Sequence, residues 1–197
     1  NNYKEILFKL QELMEQNNKS WSLFVFSSAK VLKMYTLEQL VRLGISWVWI
    51  GLEGEKSQYA KLGEIDTRSF VQELQSHGIR ILGSTIIGLE NQTPENINQI
   101  IEWAVDHNTD FHQFMLYIPL PGTPLYEQFL KEGILLSEEE CPTADIHGQH
   151  RFNYRHRHIR DGQETGFLIR AFRRDFEINR PSIARMIRTM LTGGKRY

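Results

Sequence analysis

The segment Gly51-Leu52-Glu53-Gly54 places one carboxylate between two glycines at the end of an apolar run, Trp47-Val48-Trp49-Ile50. A carboxylate so placed can accept two hydroxyl hydrogen bonds from a ribose or hold an ammonium group. The competing use of Glu53 is a solvated or salt-bridged loop residue. Gly83 and Gly88 flank Ser84-Thr85-Ile86-Ile87. Glycines there let a planar ring approach the backbone while Ile86 or Ile87 offers it an apolar surface; relief of packing at a strand end is the alternative. Pro119-Leu120-Pro121-Gly122-Thr123-Pro124 is a rigid turn that could wall a site.

His147, His150, His156 and His158 invite a metal reading, and His156-Arg157-His158 sets two rings on one side of an extended segment. No cysteine or carboxylate set completes a standard ligand spacing, so the expectation is no metal site. The single cysteine, Cys141, excludes an internal disulfide and an all-cysteine cluster. Arg173, Arg174, Arg180, Arg185 and Arg188 could form a stripe for phosphates or nucleic acid. Residues 151–197 hold 12 Lys/Arg against 4 Asp/Glu, whereas residues 1–150 hold 11 against 20. A tail of opposite sign can dock on the acidic body or on an anionic partner, and a solvated face or a surface docked on the body is expected over a nucleic-acid interface.

The elements that must position these residues follow from hydrophobic periodicity. Leu7, Leu10 and Leu13-Met14 mark an amphipathic helix over 3–16. Leu23-Phe24-Val25-Phe26 reads as a buried strand, residues 37–43 as a short helix ending at Gly44, and Trp47 to Leu52 as a second strand. Asp66 and Thr67 begin a helix through Phe70, Val71 and Leu74 that stops at Gly78. Residues 79–88 form a third strand. Thr93, as cap, and Pro94 open a helix through Ile97, Ile100, Ile101, Ala104 and Val105. Phe111 to Ile118 forms a fourth strand. Trp47, Trp49, Trp103 and the phenylalanines are expected in the core. Residues 137–162 read as a polar loop or surface extension, followed by helices from Gln163 to about Ile178 and from Pro181-Ser182 to Gly193-Gly194, with Asn179 capping the second.

Four apolar strands alternating with helices define an α/β chain with a parallel sheet, either an open doubly wound sheet or one arc of a barrel. No glycine-rich nucleotide fingerprint follows any strand. No run of 18 apolar residues is present, and the expected location is cytoplasmic. The chain starts without Met inside a periodic pattern, so a piece of a longer protein is expected.

Taken in order, Gly51-Leu52-Glu53-Gly54, Gly83 to Glu95 and Pro121-Gly122-Thr123-Pro124-Leu125-Tyr126 resemble the later strands of a radical S-adenosylmethionine (radical SAM) enzyme. The class with an N-terminal cobalamin-binding (B12) domain is the most similar. The resemblance runs from about Trp21 to Gly133, and Phe172-Arg173-Arg174-Asp175-Phe176 with Pro181 to Arg185 is similar to that class's C-terminal extension. It implies a partial six-strand, TIM-barrel-like (β/α) barrel, of which this chain supplies strands three to six over residues 1–135. A polar, basic extension at 136–162 and a helical extension at 163–197 would follow. Glu53 would then contact the ribose or methionine part of S-adenosylmethionine, and Gly83, Ile86 and Gly88 would pack near its adenine. Phe114 to Tyr117 would lie beside the adenine, and Gln113 or Tyr117 would face a small-molecule substrate.

The resemblance also has departures. The three-cysteine motif C-x3-C-x2-C is absent, Glu90 stands where a proline is common, and the cobalamin domain is missing. An intact relative would use a [4Fe-4S] cluster to cleave S-adenosylmethionine, releasing a 5'-deoxyadenosyl radical, and relatives with cobalamin often methylate carbon. Without three thiolates the isolated chain is expected to be inactive unless a missing N-terminal half or split-gene partner supplies them. A different class of function, a non-catalytic α/β module that binds a protein or anionic partner through its basic tail, is the alternative.

Overall fold

In the computed structural model, which describes residues 2–52 and 65–193, four parallel strands form one sheet. They are β1 (Leu23–Ser27), β2 (Ile45–Gly51), β3 (Arg80–Ile87) and β4 (Phe111–Leu116), hydrogen-bonded in the order β1-β2-β3-β4. Spatial order follows chain order, so the described strands contain no reversal of the kind that defines a doubly wound sheet. Right-handed crossovers in such an order carry the connecting helices to one face of the sheet.

The helices are α1 (Asn2–Gln16), α2 (Ala29–Leu32), α3 (Leu37–Arg42), α4 (Thr67–Ser76), α5 (Ile97–Val105), α6 (Pro124–Lys131), α7 (Gln163–Asn179) and α8 (Ser182–Gly193). Their starts obey local chemistry: Ser28, Thr36, Asp66 and Thr123 each accept a backbone N–H at a helix N-terminus. Thr36 and Gln39 complete a reciprocal capping box. On the covered face lie two clusters. Val48, Ile50 and Ile81 pack with Leu40, Leu43, Phe70, Val71 and Leu74. Ile87, Phe114 and Leu116 pack with Ile97, Ile101, Ala104, Phe167 and Leu168.

Four expectations need correction. The first strand is not buried: Phe24 and Phe26 are 51% and 72% exposed, because β1 is an edge strand whose second face no element covers among the described residues. For the same reason Trp47 and Trp49 lie outside both core clusters. Thr93-Pro94-Glu95 is a turn ahead of α5, held by the Thr93 N–H donating to Asn96 Oδ1 and by the Asn96 and Ile97 N–H groups donating to Thr93 O. Asn179 ends α7 rather than capping α8: its amide donates to Val105 O at 2.7 Å and Asp175 Oδ1 at 2.9 Å, while Pro181 O receives the Ala184 and Arg185 N–H groups.

The basic tail docks on the body as its charge implies. Arg174 makes two hydrogen bonds to the Glu102 carboxylate, at 2.7 and 3.0 Å, and Arg170 donates to Asn98. The deeper fastening is Arg185, which is 2% exposed. Its guanidinium pairs with Asp175 at 2.7 Å and also donates to Ser182 Oγ, Arg180 O and Asp110 O. Asp110 in turn accepts from Thr189, Gln75 and the Ile81 backbone N–H. One aspartate ahead of β4 thus ties α4, β3 and α8 together. Gly78 and Gly193 close the same end: a Cβ on Gly78 would sit 2.5 Å from Gly193 Cα.

Removing one partner of a buried, hydrogen-bonded ion pair leaves a charge without compensation. Arg185→Ala is expected to lower stability by about 3–5 kcal/mol, read as a shift of the urea midpoint. Arg174→Ala, at an exposed pair, is expected to shift it far less.

Candidate functional site

Alternation along the strands sends Ile81, Gly83, Thr85 and Ile87 of β3, and His112, Phe114 and Leu116 of β4, to the covered face. Residues at the intervening positions look onto the open face. Register arranges them in rows. Phe24 and Trp47 stand beside Arg80, and Phe26, Trp49, Leu82 and Phe111 form the next row. Toward the C-terminal ends come Gly51, Ser84 and Gln113, then Ile86 and Met115.

The lower rows are a bed of rings. Phe24 stacks on Phe26 with centroids 5.6 Å apart, Phe26 meets Trp49 at 4.5 Å, Trp47 meets Phe111 at 5.7 Å, and the Arg80 guanidinium lies 4.9 Å from the Trp47 centroid. Above this bed the open face changes character: Gly51 carries no side chain, Ser84 and Gln113 bring polar groups, and Ile86 and Met115 are apolar. Strand C-terminal ends are where parallel α/β folds place ligands, and here those ends combine a glycine, an amide and an apolar wall.

Placement differs among the residues singled out from sequence. Ile86 and Gln113 share the open face, half-buried, one row apart. Gly83 lies on the covered face, where a Cβ would come within 2.9 Å of His112 Nδ1 and of Thr109 Cγ2. Gly88 has φ +89° and a Cβ there would fall 2.3 Å from Phe152 Cζ, so both its backbone and its neighbour require glycine. The Tyr117 N–H donates to Ile87 O just beyond β4, and the Tyr117 ring packs on the core cluster that contains Phe114. Glu53 lies outside the described residues, but the backbone leading to it is held firmly: Leu52 N donates to Ser84 O at 2.7 Å, and Thr85 Oγ1 donates to Leu52 O at 2.7 Å.

Of the Phe114 to Tyr117 stretch expected beside the adenine, Met115 is on the open face whereas Phe114 and Leu116 are buried in the core cluster; sequence reasoning missed Ser84 as a site residue, and the ring bed. The period-two alternation around Ile86 and Gln113 contained Ser84 and separates Met115 from Phe114 and Leu116. The ring bed had no such signal, because an apolar strand buried on both faces reads the same way.

Behind the site, His112 is buried and lies between Thr85 Oγ1 at 3.0 Å and Thr109 Oγ1 at 3.1 Å. The Thr85 hydroxyl donates to Leu52 O and the Thr109 hydroxyl to Phe111 O, so both threonine oxygens are left to accept, and a neutral His112 donates to one of them. Burial away from water holds the ring neutral, with its pKa lowered from 6.5 to about 3. Burial lowers His107 as well, and its Nε2 pairs with Thr67 at 2.8 Å.

Residues 147–156 form a strap across the strand ends rather than a free loop. Leu116 N donates to Gly148 O, Gln149 donates to Phe114 O, Asn153 to Pro119 O, Tyr154 to Gly88 O, and His156 Nε2 to Leu89 O. His156 Nδ1 accepts the N–H groups of His158 and Ile159, so this ring is also neutral, and burial depresses its pKa. Cys141 is buried and its thiol is pushed up by burial. Among the described residues, no group of three His, Cys, Asp or Glu could hold a metal ion, and no helix is long and apolar enough to cross a membrane.

No family model matches the chain. Two curated methyltransferases are similar to parts of it. A 67-residue stretch, 34% of this chain and 15% of the relative, is 34% identical to an uncharacterized methyltransferase of Pyrococcus horikoshii. A 145-residue stretch, 69% of this chain and 32% of the relative, is 23% identical to the bacteriochlorophyllide d C-8(2)-methyltransferase of Chlorobaculum tepidum. The class that fold and comparisons define together is a parallel α/β chain distantly similar to methyltransferases. The matched stretches make up less than a third of the longer relative proteins.

Two predictions follow from this packing. The unfolded chain takes up a histidine proton near 6.5 that folded His112 refuses until about pH 3. The stability that neutral His112 allows is therefore full above pH 6.5 and falls by about 1.4 kcal/mol per pH unit as the pH drops from there toward 3, and His107, also lowered by burial, acts in the same direction. Urea midpoints measured against pH will show this slope, and His112→Gln will flatten it. Gly88→Ala is expected to cost about 1–3 kcal/mol and to free the strap, seen as faster tryptic cleavage at Arg151 and Arg155.

Proposed function

We propose that the chain is one wall of a radical SAM (β/α) barrel, strands three to six, whose intact form is a cobalamin-dependent carbon methyltransferase. The observation that carries this reading is the open face: an apolar ring bed below a small, partly polar row at the strand C-terminal ends. A bare apolar face of that kind needs a covering layer. Additional strands pairing on the free edge of β1 would cover it and turn the face into a barrel interior. The similarity to two methyltransferases supports S-adenosylmethionine as the cofactor.

The open-face residues suit that cofactor. Ile86 and Met115 offer a flat apolar surface to an adenine ring, Gln113 offers an amide to its edge or to the substrate, and Gly51 leaves space beside them. Glu53, at the end of β2, is the proposed partner of ribose hydroxyls or of the methionine ammonium. Gly83 and Gly88 act through packing: Gly83 admits His112 and so helps set the end of β2, and Gly88 admits Phe152 and so seats the strap. Tyr117 remains the second candidate for contact with substrate. S-adenosylmethionine, when bound, supplies the methyl or adenosyl group; the residues named here bind and orient it and keep water from it.

A [4Fe-4S] cluster does not fit the residues present, since Cys141 is the only cysteine and it is buried. The cluster's thiolates and the cobalamin would come from another segment or another chain. For the alternative, a binding module working through its basic tail, Arg174 and Arg185 are not available, because both are engaged within the fold.

The test is reconstitution with iron and sulfide, then S-adenosylmethionine and a strong reductant. The isolated chain is expected to release no 5'-deoxyadenosine, whereas a complex with a polypeptide carrying C-x3-C-x2-C is expected to release it. Gln113→Ala in that complex is expected to cut the rate roughly tenfold, the scale of one lost hydrogen bond. Cofactor cleavage by the isolated chain would overturn the reading.

A further inference from the structure

Helix α8 is built inside out. Its polar residues Arg185 and Thr189 are buried, against Asp175 and Asp110. Its apolar residues face outward: Ile183 is 56% exposed, Ile187 48%, Met190 47% and Leu191 69%. Helical spacing sets 183, 187 and 190 along one line, opposite 185, 189 and 193. Hydrophobicity alone would turn the helix the other way. The demand of Asp175 and Asp110 for buried donors holds it as it is.

Helix α7 packs beside α8 and carries a matching outer line. Ile169 and Phe176 are exposed there, interleaved with Arg173 and Arg180 at i+4 and i+11, opposite the buried Leu168, Ala171 and Asp175. The guanidinium groups of Arg173, Arg180 and Arg188 make no hydrogen bond or ion pair among the described residues. Glu177 is the one exposed acid on the two helices. From Arg180 to Tyr197 the sequence holds five Lys/Arg and no Asp or Glu.

We propose that this outer face docks on an anionic lipid surface. The charge argues for the occupant: arginines of one sign would oppose each other across a twofold axis between two copies, but each matches a lipid phosphate. Shape argues the same way. The protruding residues are ridge positions of two helices, and a bilayer accepts ridges without the complementary groove that a folded partner would need. Isoleucine, leucine, methionine and phenylalanine can enter the acyl boundary while the interleaved arginines extend to the headgroups. A depression beside α8 is lined by Ala184, Ile187, Arg188, Leu191 and Thr192, an apolar trough with one guanidinium. The surface lies on the helical layer, apart from the open face of the sheet, and does not depend on the reaction proposed above.

The experiment is sedimentation of the 197-residue chain with vesicles of phosphatidylcholine alone and of phosphatidylcholine mixed with phosphatidylglycerol. The expected result is binding to the anionic vesicles, weakening as salt is raised. Ile187→Glu with Leu191→Glu is expected to reduce binding roughly tenfold or more with an unchanged circular dichroism melt, since both side chains are exposed. Arg173→Glu with Arg188→Glu is expected to remove the preference for anionic vesicles. Equal binding to both vesicle types, no binding, or insensitivity to the first pair of substitutions would each overturn the proposal. So would a dimer in sedimentation velocity that the first pair dissolves, because that would give the face to a second copy.

Discussion

Parallel strands that pair in chain order cannot share their helices between two faces. Each crossover turns in the same sense, so every connecting helix among the described residues arrives on the same side of the sheet. The consequences run through the structure. The covered side closes over two apolar clusters and a buried imidazole. Among the described residues, the other side keeps its phenylalanines and tryptophans without a layer above them. The candidate site is a product of this asymmetry, since its residues are those that alternation sends to the uncovered side.

The same asymmetry explains how rigidly the site is backed. Thr85 and His112 sit under Ser84, Ile86 and Gln113, and the hydroxyl of Thr85 reaches the carbonyl of Leu52 on the neighbouring strand. The buried imidazole sits between the Thr85 and Thr109 hydroxyl oxygens and joins β3 to the turn ahead of β4. The strap adds a second constraint from the rim, pairing with the outer edge of β4 at Phe114 and Leu116 and gripping the turn at Gly88. An edge strand occupied in this way does not offer itself for further pairing over that stretch, which leaves the edge of β1 as the side on which a larger sheet could grow.

At the opposite end of the strands, Asp110 collects donors from three elements, and Arg185 fills the space behind it. That polar joint has a cost visible on the surface. By drawing Arg185 and Thr189 inward it turns the apolar residues of α8 outward, and the helical layer gains a second unsatisfied face unrelated to the sheet.

Much of the architecture was legible without coordinates. Four apolar runs, helix caps at Asp66 and Thr36, and stops at Gly44 and Gly78 are local signals, set by backbone sterics and hydrogen-bonding capacity within a few residues. The charge imbalance of the tail, too, foretold its docking. What sequence could not decide was direction. Whether Phe24 and Trp49 meet a helix, a ligand or nothing depends on strand order. Which partner Gly83 admits depends on register with β4. Whether Arg185 faces water or Asp175 depends on how α8 rolls against a residue 75 positions earlier in the chain. Those outcomes belong to tertiary structure because burial is a property of neighbours brought together in space, and a side chain's own type determines only what it would gain or lose by being covered.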